Sequence, residues 1–190
     1  MRGLYATDDG PVELAAGACV WDSVDMPNAL HDGLLDAVLE SWDRNNAIMV
    51  NLLRALPPGG LDARACASSP TVAQQFMHFI HERLISVFEE APEFAREVPQ
   101  DEWTVERDPD RIAAMLTDSA VAVRDAVRAR VLAGRDMDLH YSHPILMLQL
   151  LLWHEGYHHG QIKLALKLSG RPISDDDAGP ATWDVWRRKN

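Results

Sequence analysis

The chain has 190 residues, 47% of them hydrophobic, which is enough for the core of one globular domain. Its 18 basic and 29 acidic residues give a net charge of −11, and this acidic balance argues against a nucleic-acid groove, which needs a basic face. No apolar run reaches the roughly 18 residues that a membrane crossing requires, and residues 1–12 lack the apolar core of a signal peptide. The sequence therefore predicts a cytoplasmic protein without nucleic-acid or membrane partners.

Apolar spacing and helix-terminating residues predict an all-α chain. Residues 1–29 show no convincing periodicity and form an N-terminal arm of unassigned structure. The first helix is expected over residues 30–56, before the run Pro57-Pro58-Gly59-Gly60. Three later helices each open with a capping residue followed by proline, at Ser69-Pro70, Asp108-Pro109 and His143-Pro144. They are expected to end near residues 91, 133 and 169.

The tail of the chain is predicted to be loop-like from Arg171 onward. Trp183 and Trp186 interrupt this polar segment and are expected to pack back against the helices. The domain proper is thus predicted to extend over residues 30–190, as a helical bundle followed by this tail.

The last helix carries a stripe that changes from apolar to polar. Its positions alternate in spacing between four and three, which places them on one inward face: Met147, Leu151, His154, His158, Gln161, Ala165 and Leu168. Burying two imidazoles and an amide costs free energy unless they have partners. His154 and His158 lie one turn apart and can hold one metal ion, so the stripe favours a metal site over two histidines that are merely hydrogen-bonded.

A catalytic metal site usually takes three protein ligands, so a third is needed. His159 points about 100° away from His158 and is not expected to reach the same ion. His78 and His81, in the middle of the second helix, remain as candidates. Spacing does not separate these two, and either could instead be a satisfied core residue.

The segment around the two histidines also matches the HExxH pattern of zinc proteases, in the run His154-Glu155-Gly156-Tyr157-His158. In that interpretation Glu155 is the general base; in the alternative it is a solvated carboxylate or one that supports a ligand. A zinc protease also needs an upstream edge strand and a further ligand downstream, and neither is evident. A metal-dependent hydrolase therefore stays an alternative, and a peptidase is disfavoured.

His81, His159 and three further residues near the pair are candidates for lining the pocket or supporting the ligands. Gln161 shares the histidine stripe and is expected to hydrogen-bond across the helices or to a ligand. Tyr157 and Trp153 are candidates for lining the pocket, although aromatic residues beside a helix seam more often belong to the core.

The motif His154-x-x-x-His158-x-Gly160-Gln161 resembles the HxxxHRGQ helix of the DinB/YfiT-like family of metalloenzymes, with His159 in place of the usual Arg. The segment 69–78 resembles that family's second-helix pattern, in which a Ser or Thr seven positions earlier precedes the first ligand histidine. Residues 51–57 resemble the end of its first helix. The resemblance extends in order and spacing over roughly residues 30–170.

This resemblance implies an antiparallel four-helix bundle with a metal site in its core, formed by His78, His154 and His158, and often a homodimer. Imidazole ligands favour zinc or nickel, with iron or manganese as alternatives. The resemblance also implies a thiol-dependent transferase that uses mycothiol, bacillithiol or glutathione on small electrophiles. A non-catalytic metal- or ligand-binding bundle is a further alternative. His159 leaves the triad intact but removes any anionic contact of the usual Arg.

Overall fold

The computed structural model describes residues 28–187 and residue 189, and within them all regular secondary structure is helical, as predicted. The elements in chain order are α1 (Asn28–Arg54), α2 (Val72–Glu90), α3 (Pro109–Leu132), α4 (Pro144–Leu168), α5 (Asp175–Ala181) and α6 (Trp183–Arg187), with short 3-10 turns at Gly60–Asp62 and Pro92–Phe94. The predicted N-terminal arm lies outside the described residues, except for Asn28 and Ala29, which begin α1. None of the described helices combines the length and apolarity that a membrane crossing needs.

Helices α3 and α4 begin at the two prolines that the sequence indicated. The Asp108 side chain accepts hydrogen bonds from the first backbone N–H groups of α3. Nδ1 of His143 accepts from the backbone N–H of Ile145 at 3.2 Å. Proline is tolerated at the first helical position because the N–H that it lacks has no partner within the helix there.

Helix α2 starts two residues later than predicted. Thr71, not Ser69, caps it, and Thr71 and Gln74 form a reciprocal capping box. Two otherwise unsatisfied N–H groups gain partners through this box, so it determines the start of the helix and leaves Pro70 outside.

The four long helices share one apolar interior. Helix α2 lies along α3, α1 lies along α3, and α4 contacts the other three. Two neighbouring core clusters take side chains from all four helices, such as Met49, Phe76, Leu116 and Ile162 in one, and Leu39, Val87, Val123 and Met147 in the other. These contacts hold α2 against α4, the two helices that carry the candidate ligands.

The predicted inward stripe of α4 is correct at its start and wrong at its end. Met147 and Ala165 are fully buried, but Leu168 is 62% exposed. Ile162 and Leu166 are buried at this end of the helix. A straight helix rotates about 20° per heptad relative to a strict seven-residue repeat, so the stripe turns about 60° toward solvent over three heptads.

The tail contains more structure than its sequence indicated. Ser174 caps α5 by accepting from Asp177 N at 3.1 Å, in a segment that was predicted to be a loop. In α6, Val185 is the residue that enters the core, whereas both tryptophans remain about half exposed. Arg44 of α1 holds the tail by donating to the backbone carbonyl of Val185 at 3.1 Å.

Candidate metal centre

Helices α2 and α4 bring three imidazole side chains together. His78 of α2 faces His154 and His158 of α4, and one nitrogen atom from each ring lies within 4.8 Å of the others. The Nε2 atoms of His78 and His154 are 3.0 Å apart. His81 lies outside this group, and its Nδ1 is 3.6 Å from the Glu82 carboxylate. Of the two histidines that spacing could not separate, His78 is therefore the one that meets the α4 pair.

The environment favours the neutral form of two of these imidazoles, those of His78 and His158. Burial, followed by the neighbouring His158, His154 and His81 in that order of importance, lowers the pKa of His78 to about 4. Burial, followed by His154, also lowers the pKa of His158, while a hydrogen bond with Gln161 acts in the opposite direction. Since only a neutral imidazole can bind a metal, the lowered pKa values leave these lone pairs available at neutral pH.

The donor set fits a divalent ion. Two nitrogen ligands of a tetrahedral ion, each about 2.0–2.1 Å from it, are separated by about 3.3 Å. The 3.0 Å between the Nε2 atoms of His78 and His154 is close to this value. His78 and His158 are only 6% and 9% exposed. Imidazole nitrogens clustered in this way suit zinc, nickel and related ions.

A loop between α2 and α3 covers the outer side of His78. The indole of Trp103 stacks on the His78 ring, with centroids 4.5 Å apart and planes 9° from parallel. Oε1 of Glu102 lies 2.9 Å from Nδ1 of His78. The sequence does not reveal either residue as part of the site, because both lie in a loop without periodicity, where an acidic–aromatic pair does not indicate what it contacts.

A model of the DinB family matches residues 26–185 of the chain. The chain belongs to the DinB family. The match includes all three clustered histidines and confirms the resemblance that the motif around His154 and His158 indicated. No curated protein and no solved structure matches the chain.

In this DinB-family chain, Glu155 is neither solvated nor directed at the histidine cluster. The residue is 1% exposed, and both of its carboxylate oxygens accept hydrogen bonds from Arg83, at 2.6 and 2.8 Å. Asn45 of α1 donates a further hydrogen bond to Oε2 at 2.6 Å. The solvated alternative is therefore wrong, and a buried carboxylate that is paired with Arg83 and accepts three hydrogen bonds is poorly suited to the general-base role.

Arg83 connects Glu155 to the rest of the interior. Its Nη1 donates to Asn46 Oδ1 at 2.9 Å and to the backbone carbonyl of Leu116 at 2.7 Å. Its guanidinium lies 4.8 Å from the ring centroid of Trp42. These contacts join all four long helices through one buried cation. The spacing of charged residues in the sequence does not reveal this connection.

The two aromatic candidates of α4 lie toward solvent. Tyr157, which is 55% exposed, contacts His158 edge-on with ring centroids 5.0 Å apart, so it borders the cluster. Trp153 is 68% exposed and stacks on Tyr157 at 6.1 Å. The alternative in which Trp153 belongs to the core is therefore wrong.

His159 faces a different part of the molecule, as its position on the helix predicted. It lines a cavity of about 390 Å³ between α1, α4 and α6, together with Met49, Lys163, Trp183 and Trp186. Burial, followed by the nearby Lys163, lowers the pKa of His159. The residue that replaces the family's usual Arg is thus separated from the triad.

Proposed function

We propose that the chain binds one divalent metal ion through His78, His154 and His158 and acts as a metal-dependent enzyme. The observation that carries this proposal is the convergence of three imidazoles from α2 and α4, two of them with lowered pKa values. Zinc or nickel is the expected ion, and iron or manganese also accepts imidazole ligands. The proposal includes the antiparallel four-helix bundle of the family, formed by α1–α4 with the metal in its core.

The favoured reaction is the addition of a low-molecular-weight thiol to a small electrophile. An ion held by the triad would lower the pKa of a coordinated thiol or water. A thiol held by such an ion would need no separate carboxylate base. The HExxH form of the hydrolase alternative relies on Glu155 as a base, and Glu155 is held by Arg83 and Asn45. These contacts disfavour the HExxH form, and the family resemblance supports thiol transfer, with mycothiol, bacillithiol or glutathione as the cosubstrate.

The aromatic residues beside the triad are suited to a small organic substrate. Tyr157 contacts His158 from the solvent side, and Trp103 covers His78. Such rings provide apolar contact area next to the ligand atoms and exclude water from part of the approach. In this proposal they bind and orient the electrophile, while the histidines hold the ion.

The test is a panel of electrophiles incubated with the zinc- or nickel-loaded protein and each of the three thiols. Turnover that requires a thiol and disappears in His158→Ala supports the transferase. His140→Gln is the matched control, because that imidazole is 64% exposed and lies outside the triad, and Gln keeps a donor for the buried Glu90 carboxylate that His140 contacts at 2.6 Å. Turnover without any thiol would favour the hydrolase, and no turnover across the panel would favour a non-catalytic binding module.

A homodimer is proposed through the outer face of α4. Large apolar side chains that are 45–68% exposed recur there at helical spacing, namely Leu146, Leu150, Trp153, Tyr157, Leu164 and Leu168. Single exposed apolar residues are normal on a monomer, but a continuous strip indicates a contact surface. A second copy can present the same strip across a twofold axis, which is the commonest arrangement of homodimers.

A further inference from the structure

His78 differs from the other two histidines of the triad in having a carboxylate beside its second nitrogen. Oε1 of Glu102 lies 2.9 Å from Nδ1 of His78, although the two groups are not aligned as a hydrogen bond. The Nδ1 atoms of His154 and His158 are buried without a hydrogen-bond partner among the described residues. Because the Glu102 side chain is 41% exposed, a small rotation of its carboxylate can align it with Nδ1.

The indole of Trp103 determines the plane of the same ring. It stacks on the His78 ring, with the ring centroids 4.5 Å apart and the ring planes 9° from parallel. Trp103 is itself held at both backbone polar groups: Gln74 Nε2 donates to its carbonyl at 3.1 Å, and its N–H donates to Asp101 at 2.9 Å. Gln74 belongs to the capping box of α2, so the start of the helix and the covering loop are tied together.

We propose that Glu102 and Trp103 are positioning residues for His78. Once aligned, the Glu102 carboxylate accepts a hydrogen bond from Nδ1–H, which keeps the proton on Nδ1 and the lone pair on Nε2, the atom 3.0 Å from Nε2 of His154. Trp103 keeps the ring in the plane that directs this atom at the other histidines. A carboxylate on the far nitrogen of a ligand histidine fixes its tautomer and raises its basicity. The proposal rests on the metal site proposed above.

A second carboxylate makes an alternative arrangement testable. Glu82 lies close enough to His78 and Glu102 for one ligand atom from each of the three to fall within 4.8 Å of the others. In that arrangement Glu102 would itself be a ligand, of a second ion bound through Nδ1 of His78. The two arrangements differ in the number of ions bound per chain.

The first measurement is a zinc titration against a chromophoric chelator. Glu102→Ala should weaken zinc binding about 10- to 100-fold while leaving one site per chain. Glu102→Gln, which keeps an acceptor oxygen, should weaken it less. Glu97→Gln removes an exposed carboxylate from the same connection between α2 and α3 and should change nothing. Trp103→Ala should weaken binding, and Trp103→Phe should restore most of it by retaining a stacked ring.

The second measurement is the tautomer of His78 in the metal-free protein, read from long-range nitrogen–proton correlations in NMR spectra. The wild type should carry the proton on Nδ1, and Glu102→Ala should populate both tautomers. This readout also reports on the fold and does not require metal. If the wild type binds no zinc, the proposed function fails. The tautomer of His78 would still show whether Glu102 accepts a hydrogen bond from its Nδ1–H.

Two results would overturn the positioning role. The first is a Glu102→Ala variant that binds zinc within threefold of the wild type and retains the Nδ1 proton on His78. The second is a wild type with two zinc ions per chain that falls to one in Glu102→Ala, which would make Glu102 a ligand.

Discussion

Replacing Glu155 with alanine should destabilise the fold without removing a metal ligand. The carboxylate is 1% exposed and lies between Arg83 of α2 and Asn45 of α1. Its removal deprives Arg83, which is fully buried, of two charge-assisted hydrogen bonds of 2.6 and 2.8 Å. The amide of Asn45 loses an acceptor at 2.6 Å in the same step.

Breaking one side of a buried ion pair costs about 3–5 kcal/mol, because the remaining charge is left uncompensated. Arg83 retains hydrogen bonds to Asn46 and to the Leu116 carbonyl. The cost of leaving its charge without Glu155 should therefore lie near the lower end of that range. The lost hydrogen bond of Asn45 adds about 1 kcal/mol, for a total of roughly 4 kcal/mol. Glu155→Gln keeps one acceptor oxygen but not the charge, so it should still cost about 3 kcal/mol.

The assay is urea denaturation of the metal-free protein, followed by circular dichroism at 222 nm. Glu97→Ala, an exposed glutamate, serves as the control and should stay within about 0.5 kcal/mol of the wild type. Replacing both members of the pair with methionine should cost less than the sum of the single substitutions, since no buried charge is left alone. A loss below about 1 kcal/mol in Glu155→Ala, or strict additivity in the double variant, would refute the reasoning.

Three further predictions concern pH, assembly and the start of α2. The pKa values of His78 and His158 are lowered in the folded state, to about 4 for His78 from an ordinary 6.5, so the unfolded chain binds more protons in that range. The urea midpoint of the metal-free protein should therefore fall as pH drops from 6.5 toward 4. His78→Asn should make the midpoint depend less steeply on pH, and the same pH dependence in the wild type and the variant would contradict the lowered pKa of His78. Leu150→Glu should shift the protein toward monomer in light scattering. Leu132→Glu should not, because Leu132 is equally apolar and more exposed, at 60% against 45%, but lies on α3. A dimer that persists in Leu150→Glu would exclude the α4 face. Thr71→Ala should lower the free energy of unfolding by about 1 kcal/mol through loss of the capping box, and an unchanged urea midpoint would show that the box is dispensable.

Local signals in the sequence predicted much of the fold and part of the site. The capping residues before Pro109 and Pro144 place two helix starts, because a cap acts within one turn of its own position. The pair His154 and His158 is also a local signal, because residues four apart lie one turn apart on the same helix face. Their meeting with His78 depends on how α2 packs on α4, and spacing within α2 did not separate it from His81.

Contacts between distant parts of the chain account for what the sequence did not reveal. Arg83 and Glu155 are 72 positions apart, and each looks like an ordinary charged helix residue until the helices pack. Glu102 and Trp103 reach the site from a loop whose path no periodic pattern describes. The error at Leu168 has another origin, because a strict heptad pattern disregards the slow rotation of a straight helix.

The most direct test of the metal site is the metal content of the purified protein after zinc loading and removal of excess ion. The wild type and His140→Gln, which replaces an exposed imidazole outside the triad and keeps a donor for Glu90, should each retain one ion per chain. His154→Ala should retain almost none at equal protein concentration and with an unchanged circular dichroism spectrum. Equal stoichiometry in the wild type and a folded His154→Ala variant would contradict the proposed metal centre.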